Sequence, residues 1–368
     1  MRNYFDSVFF WIGLSSIPGI GRVTFRKLVT HFGSPERVLA ASPDELRNRG
    51  GLSEKNVAKM TSFPWRVFAE QEIAKATNAD VDIIIADDPT FPSRLKDTPD
   101  PPVYLYVKGS LLPEDNNAVA VVGTRKPTHY GKTITHRISY ELASRGHTIV
   151  SGMARGIDTQ AHKGALSARG RTIAILGSGI DVAYPPENAW LMDEITVNGA
   201  VVTENAFGTK PESGYFPARN RIISGLSLGT VIIEAAEDSG SLITAKYTLD
   251  QGRRLYAVPG NIGSPTSKGT NSLIKEGAML VESAADVLDD LGNTEPNARL
   301  ESVSPPLPLL TGEEDAIFRS ISNEPKHIDV IMNECQASAG KLSGILLSLE
   351  LKGLAKQLPG KYYVREQC

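Results

Sequence analysis

Between residues 81 and 292, short runs of β-branched residues alternate with segments whose apolar residues recur every three or four positions. The β-branched runs predict six strands, at residues 118–122, 148–150, 172–176, 200–203, 230–233 and 255–258. The amphipathic segments predict helices at residues 132–145, 159–168, 188–197 and 242–251. Strands that alternate with helices of this length are typical of a parallel sheet covered on both faces. We therefore expect residues 76–292 to form a doubly wound α/β domain.

The regions on either side of this domain have different patterns. Residues 1–75 show only helical spacing, and the turn Ile17-Pro18-Gly19-Ile20-Gly21 separates the first two predicted helices. Residues 293–310 hold four prolines and little periodicity, which is typical of an extended linker. Residues 311–368 show three helical stretches, at 313–321, 328–335 and 339–352, followed by a hairpin-like end. This C-terminal pattern predicts a winged helix-turn-helix module.

The composition agrees with a folded protein of two or three domains, because 368 residues exceed one ordinary core. Hydrophobic residues are 41% and charged residues 22%, which excludes widespread disorder, a collagen-like repeat and a coiled-coil rod. The two cysteines, Cys335 and Cys368, form no C-x-x-C pair. This excludes a disulfide framework or zinc finger and fits a reducing cytosol. The early apolar run at residues 8–14 is too short to cross a bilayer, so we expect a cytoplasmic protein without membrane contact.

Three motifs that would indicate an enzyme are incomplete. Gly131-Lys132-Thr133 opens a predicted helix, but Lys126 stands where a P-loop needs a glycine. Gly225-Leu226-Ser227-Leu228-Gly229 matches a nucleophile elbow, yet its predicted strand follows the serine instead of preceding it. Gly177-Ser178-Gly179 lacks the third glycine of a dinucleotide fingerprint, since position 182 is Val182. The histidines are scattered and no acidic cluster has ligand spacing, so we expect no metal site. We also expect no catalytic residue and no cofactor.

Glycine-rich loops follow the predicted strands at their carboxyl ends. They are Gly123-Thr124-Arg125, Ser151-Gly152-Met153-Ala154-Arg155-Gly156, Gly177-Ser178-Gly179, Ser239-Gly240-Ser241 and Pro259-Gly260. In an open parallel sheet these ends line a crevice beside helix N-termini, whose unpaired N–H groups favour phosphates. Glycine also lets the backbone approach a ligand closely. The alternative is that these glycines serve only the tight turns of any doubly wound fold.

The local charge indicates a ligand larger than one nucleotide. From residue 123 to 171 the chain has nine basic residues against two acidic ones, a local charge of +7 in a chain of net charge −3. The basic residues are Arg125, Lys126, Lys132, Arg137, Arg145, Arg155, Lys163, Arg169 and Arg171. Segregation on this scale is typical of a polyanion-binding surface. A solvated helix face accounts less easily for Arg125 and Arg155, which fall in loops.

The segment Phe216-Pro217-Ala218-Arg219-Asn220-Arg221 places an aromatic residue beside two arginines. Single-stranded nucleic acid needs such a combination, because bases stack on rings and phosphates bind cations. Stacking contributes about 1–3 kcal/mol per base and demands no particular sequence. The alternative is that Phe216 packs in the core while Arg219 and Arg221 hold nearby carboxylates.

Together these motifs resemble the DNA-processing protein A family, also called DprA or Smf. The matching stretches run in order through residues 121–125, 151–158 with Ala161-His162, 177–181 with Tyr184-Pro185, 216–221, 239–245 and 257–260. The resemblance implies an extended Rossmann-like domain that binds single-stranded DNA without sequence preference. It also implies a homodimer that loads the RecA recombinase onto incoming strands in natural transformation. Two positions depart from the family pattern: Ser213 replaces the lysine of some members, and Ala189 is neutral where many relatives are basic.

The predicted DNA-binding residues are Gly123, Arg125, Lys126, Gly152, Arg155, Gly177, Ser178, Gly179, Phe216, Arg219, Asn220, Arg221, Ser239, Gly240 and Ser241. The resemblance itself implies a DNA pocket at Arg125, the loop at residues 177–179, Phe216, Arg219 and Arg221. The implied partners are single-stranded DNA, RecA and a second copy of the chain, and we expect no enzymatic activity. The alternative is a phosphoribohydrolase-like enzyme of the Rossmann type, with Glu234 as general acid or base. No partner base is placed for Glu234, which favours a buried or loop-supporting carboxylate.

The terminal modules leave two functions open. The turn at residues 17–21 resembles a helix-hairpin-helix turn of a SAM-like domain, whose backbone N–H groups hold a phosphate. Residues 1–75 carry eleven basic and seven acidic residues, and this excess of positive charge supports an accessory DNA contact. The alternative is that these residues form a purely structural helical cap. Residues 311–368 have seven basic and eight acidic residues, so the winged helix suits a protein contact at least as well as DNA.

Overall fold

The computed structural model describes residues 2–292, 310–322 and 324–365. The chain divides into two compact units, one of residues 1–127 with 131–291 and one of residues 128–130 with 292–368. Within the described ranges, no helix is long and apolar enough to cross a membrane. Residues 293–309 of the predicted linker, and Cys368, lie outside the described residues.

Six helices form the N-terminal part of the first unit. They are α1 (Arg2–Ser16), α2 (Arg22–Phe32), α3 (Pro35–Ala40), α4 (Pro43–Asn48), α5 (Glu54–Ser62) and α6 (Trp65–Asn78). Their apolar stripes share one core, which includes Ile12, Leu14 and Leu28. Polar residues begin several of these helices: Ser42 caps α4 by accepting from the N–H of Glu45, whose carboxylate accepts from the N–H of Ser42.

A nine-stranded sheet forms the centre of the same unit. Its strands are β1 (Asp82–Ile85), β2 (Tyr104–Gly109), β3 (Val119–Val122), β4 (Ile149–Ser151), β5 (Thr172–Ile175), β6 (Gly199–Thr203), β7 (Gly229–Ile232), β8 (Arg254–Ala257) and β9 (Met279–Leu280). The order is β1-β2-β6-β5-β4-β3-β7-β8-β9. The neighbouring strands β6, β5, β4, β3, β7, β8 and β9 pair in parallel. All six predicted strands are confirmed to within one residue at each end. The prediction omits β9 and the antiparallel edge of β1 and β2, which lies outside the strand–helix alternation.

Helices cover both faces of this sheet. They are α7 (Ser93–Lys96), α8 (His129–Ser144), α9 (Ile157–Ser167), α10 (Ala189–Val197), α11 (Tyr215–Leu226), α12 (Gly240–Asp250), α13 (Lys268–Lys275) and α14 (Ala284–Asp290). Neighbouring strand residues belong to different cores: Val119 shares one with Ile138 of α8, whereas Ala120 shares the other with Ile222 of α11. Successive strand residues point to opposite faces, so both faces are buried. The predicted doubly wound fold is confirmed.

The strand order reverses at β3, and this reversal positions the site. The chain runs from β3 through β4 and β5 to β6 on one side, and then returns to place β7 on the other side of β3. Loops diverge at such a point and leave a crevice at the carboxyl ends of the strands. The glycine-rich loops that follow β3, β4 and β5 therefore lie at the edge of the sheet where ligands bind in this architecture.

The described part of the second unit contains three helices and a small sheet. The elements are α15 (Gly312–Ser320), β10 (Lys326–His327), α16 (Ile328–Cys335), α17 (Ala339–Leu351), β11 (Ala355–Leu358) and β12 (Tyr362–Arg365). The strands pair antiparallel in the order β10-β12-β11. Helices and sheet share a core that includes Ile331, Leu342 and Leu346. This arrangement confirms the predicted winged helix.

Candidate nucleic-acid interface

Two loops and the first turn of α11 meet at the carboxyl edge of the sheet. The guanidinium carbon of Arg125, in the loop after β3, lies 5.1 Å from the ring centroid of Phe216. Phe216 belongs to the first turn of α11, and its ring lies against Gly177 in the loop after β5. The ring of Tyr184 packs on Phe216 with a centroid distance of 5.4 Å. The structure thus brings together the predicted residues Arg125, Gly177 and Phe216.

Gly177 is needed for this packing. An ideal Cβ at Gly177 would lie 2.8 Å from Cδ1 and 3.2 Å from Cε1 of Phe216. Carbon atoms rest about 3.5–4.0 Å apart, so any side chain here would displace the ring. The φ angle of Gly177 is not in the left-handed region, so a tight turn alone does not explain the glycine. The absent side chain leaves the space that Phe216 fills.

Cations and an aromatic ring reach solvent together at this edge. Arg125 and Lys126 are exposed and Phe216 is half-buried. Arg155 is also exposed and forms an ion pair with Glu187, with Nη2 3.1 Å from Oε2. A cation over a ring is held by the charge distribution of the π-system. The same group offers a stacking surface to a base and positive charge to a phosphate, which an unpaired strand requires.

Arg219 is buried, which corrects the prediction that two neighbouring arginines face a strand. Its side chain is 5% exposed, and Nη1 donates a hydrogen bond of 2.5 Å to the carbonyl oxygen of Ile175. The guanidinium lies against Gly152, where it leaves no room for a Cβ. Burial lowers the pKa of Arg219 to about 10, and Asp158 opposes this shift. Arg219 is therefore charged at neutral pH, and its buried positive charge lies near that of Arg125.

A buried acid and a neutral histidine lie near Arg219. Burial raises the pKa of Asp158, while Arg219 acts in the opposite direction. Nδ1 of His162 lies 2.7 Å from Oγ1 of Thr172, and this hydroxyl donates to the carbonyl oxygen of Ile149. Nδ1 therefore carries the ring proton, because the hydroxyl has already donated its own. Burial, assisted by Arg219, lowers the pKa of His162 to about 3, so the ring is neutral at physiological pH.

Arg221 is held inside the fold by carboxylates. Its Nε lies 3.2 Å from Asp100, and its Nη2 donates to Glu204 at 2.5 Å. Arg22, the first residue of α2, binds the same two carboxylates. Two positions along a helix differ by about 200°, so Arg219 and Arg221 leave α11 on different sides. The structure corrects the prediction for Arg221, whose side chain is 3% exposed and serves the packing of α2 against α11. The prediction had no helix at α11 and therefore treated both arginines alike.

Several predicted residues support the loops instead of facing solvent. A Cβ at Gly123 would lie 2.8 Å from Cγ1 of Ile157, so this glycine permits close packing of α9. Ser178 and Gly179 are buried, and the Ser178 hydroxyl donates to the carbonyl oxygen of Val182 at 2.8 Å. These residues shape the loop beneath the Phe216 ring.

The loop at residues 239–241 begins α12 and contacts α11. Ser239 caps α12 by accepting from the N–H of Ser241 at 3.3 Å. Asn220 of α11 donates to the carbonyl oxygen of Gly240 at 3.4 Å. This predicted loop is therefore connected to the site through Asn220.

Glu234, the carboxylate of the alternative enzyme hypothesis, follows β7 and is 3% exposed. Its carboxylate lies beside Gly131 in the first turn of α8, where a Cβ would collide with it. Oγ1 of Thr266 lies 3.5 Å from Oε1. The Glu234 backbone carbonyl accepts from the N–H of Thr124 at 2.8 Å, next to Arg125. These contacts favour a loop-supporting carboxylate. In the part of the chain that the structure describes, no cluster of three metal-binding side chains occurs.

Tyr184 is a site residue that the predicted set omits. It follows Gly177-Ser178-Gly179 in the same loop and packs on Phe216 at an interplanar angle of 37°. The signal in the sequence is the Tyr184-Pro185 pair, which is part of the family resemblance but carries no local sign of its contact with α11.

Comparison with protein families finds matches in three parts of the chain. Residues 82–292 match the family of DNA recombination-mediator protein A, and this stretch contains every predicted DNA-binding residue. The chain belongs to the DprA/Smf family. Residues 301–361 match the DprA winged helix domain, and residues 12–63 match a SAM-like helix-hairpin-helix tandem.

Similar proteins support the same assignment. Protein Smf of Synechocystis is 34% identical over 390 residues, which covers 97% of this chain and 98% of that protein. Protein Smf of Escherichia coli is 36% identical over 331 residues, covering 86% of each. The X-ray structure of DprA from Streptococcus pneumoniae has a TM-score of 0.66 at 33% identity and covers 75% of this chain and 95% of its own.

A second solved structure concerns DNA binding. It describes the single-stranded DNA binding mode of DNA processing protein A from Helicobacter pylori. Its TM-score is 0.53 at 32% identity, over 58% of this chain and 96% of its own. Membership of the DprA/Smf family makes this chain a DNA-processing protein.

Proposed function

We propose that the protein binds single-stranded DNA without sequence preference and loads the RecA recombinase onto it in natural transformation. In this proposal it acts in the cytoplasm as a homodimer and without enzymatic activity. The observation that carries the DNA part is the guanidinium of Arg125 over the half-buried ring of Phe216, in the crevice of the sheet. The single-stranded DNA binding of the Helicobacter pylori relative supports the same ligand.

The chemistry of the site explains why binding would be independent of sequence. Every base has a π-face, so stacking on Phe216 does not distinguish one base from another. Arg125 and Lys126 would contact phosphates, which are the same in every nucleotide. The basic segment at residues 123–171 adds long-range attraction. Affinity should fall steeply as salt rises, because phosphate contacts release counterions.

The homodimer has support from one edge of the sheet. Strand β9 ends the sheet at that edge, and its residues Met279 and Leu280 are 38% and 44% exposed. An edge strand with exposed apolar side chains is typical of a surface that pairs with another chain. Two copies would hold two crevices, so one long strand could engage both. The RecA partner rests on family membership alone, and the rate of RecA assembly on a coated strand, with and without the protein, tests it.

Titration of a labelled oligothymidylate tests the DNA site. Arg125→Ala and Phe216→Ala should each weaken binding by about 1–3 kcal/mol, since one removes a phosphate contact and the other a stacking surface. Arg145→Ala is the matched control, because this substitution also removes one positive charge. Arg145 follows α8 and lies at the opposite edge of the sheet. An equal loss in Arg125→Ala and Arg145→Ala would contradict the site. A wild-type protein that forms no complex at low salt would refute DNA binding itself.

A further inference from the structure

Trp190 is an exposed tryptophan whose ring is held by a cation. It lies in the first turn of α10 and is 50% exposed, whereas Trp11 and Trp65 are 7% and 9% exposed. Nζ of Lys163, on α9, lies 5.1 Å from its ring centroid. A lysine in this position stabilises one orientation of an indole and leaves much of the ring surface open. An open aromatic surface beside a lysine repeats the chemistry of Phe216 beside Arg125.

A series of contacts connects Trp190 with the Phe216 site. Tyr184 packs on Phe216 at 5.4 Å between ring centroids. Glu187 follows Tyr184 by three residues in the same segment, and its Oε2 lies 3.1 Å from Nη2 of Arg155. A 3₁₀ turn at Pro186–Asn188 then leads directly into α10.

The segment that carries these residues is fixed to the sheet. Asn188 is buried, and its side-chain amide donates to the carbonyl oxygen of Met153 and to Oγ1 of Thr159, both at 2.9 Å. Met153 precedes Arg155 in the loop after β4, and Thr159 lies on α9 with Lys163. Trp190 is therefore held at a defined position relative to the loops of the crevice.

The charges along this series of contacts favour the binding of a polyanion. They also define where the path of the polyanion would end. Arg125, Arg155 and Lys163 lie along this series, and Glu187 is paired with Arg155. Beyond Trp190, the next turn of α10 presents the exposed acids Asp193 and Glu194. These carboxylates would repel phosphates, so the favourable path stops at Trp190.

We propose that Trp190 and Lys163 form a second base-stacking subsite, and that a single strand bound at Phe216 runs past Tyr184 and Arg155 to reach it. This inference rests on the proposed function, because it extends the path of the same DNA strand. The ligand at the subsite is one nucleobase stacked on the indole, with its phosphate near Lys163. The subsite adds affinity only for strands long enough to span both aromatic positions.

Tryptophan fluorescence and a pair of oligothymidylates of roughly four and sixteen nucleotides test the subsite. Stacking of a base on Trp190 should quench the fluorescence of the wild-type protein with the long strand and much less with the short one. Trp190→Phe should still bind the long strand but lose this quenching, since its other tryptophans are buried. Trp190→Ala should lower the affinity for the long strand about 5- to 150-fold, and by a larger factor than for the short strand.

Val197→Ala is the matched control, because Val197 is an exposed apolar residue at the end of the same helix and should leave both affinities unchanged. The subsite is refuted if the wild-type protein binds the long strand without quenching and Trp190→Ala binds it as tightly. If the wild-type protein binds neither oligonucleotide, the proposed function itself fails. The quenching measurement uses the unaltered protein, so it does not depend on the folding of any variant.

Discussion

Replacing Gly177 by alanine tests whether the position of the Phe216 ring sets DNA affinity. The new methyl group would meet the ring at 2.8 Å, so the ring must move by about 1 Å to reach ordinary contact. That movement disturbs the 5.1 Å contact with Arg125 and the surface on which a base stacks. Stacking contributes about 1–3 kcal/mol per base, so we expect a loss of about 5- to 150-fold in affinity. The free energy of unfolding should change little, since replacing a glycine restricts the unfolded chain by about 0.4–1 kcal/mol and offsets the strain.

The assay is fluorescence anisotropy of a labelled oligothymidylate, with urea unfolding as the measure of stability. Gly214→Ala is the matched control, because Gly214 immediately precedes α11, has a φ of −71° and leaves open space for a Cβ. In a Phe216→Ala background, Gly177→Ala should cause no further loss, because the ring that it displaces is gone. A Gly177→Ala variant that binds as tightly as the Gly214→Ala variant would refute the reasoning.

Two further predictions concern the buried groups. The pKa of His162 is about 3 in the folded protein against an ordinary 6.5, so only the unfolded chain takes up this proton as the pH falls. The contribution of His162 to the free energy of unfolding is fully present above pH 6.5 and falls as the pH drops, by about 2 kcal/mol at pH 5. In urea unfolding, His162→Gln should remove this pH dependence. An unchanged slope would contradict the buried neutral histidine. Arg221→Ala should lower the free energy of unfolding by about 1–3 kcal/mol, because Asp100 and Glu204 lose a partner while Arg22 remains. In fluorescence anisotropy, Arg221→Ala should lose less DNA affinity than Arg125→Ala. A larger loss in Arg221→Ala would indicate that Arg221 contacts the strand.

The strand–helix alternation was readable from the sequence because it depends on neighbours in the chain. Runs such as residues 119–122 are apolar at every position, which is what a strand buried on both faces needs. The same local signal located the glycine-rich loops and the three C-terminal helices. It could not show β1 and β2, because their antiparallel pairing at the edge of the sheet depends on β6, more than ninety residues further along the chain.

The burial of Arg219 and Arg221 was decided by the tertiary structure. A charged side chain is buried only where partners compensate the lost hydration, and the partners of Arg221 are Asp100 and Glu204, which come from other elements. The contact of Gly177 with Phe216 likewise joins a loop after β5 to the start of α11. The sequence by itself determined the fold class and the residue types at the crevice. Which of them reach solvent was decided by packing between distant segments, because burial and charge pairing act through space and leave no trace in local periodicity.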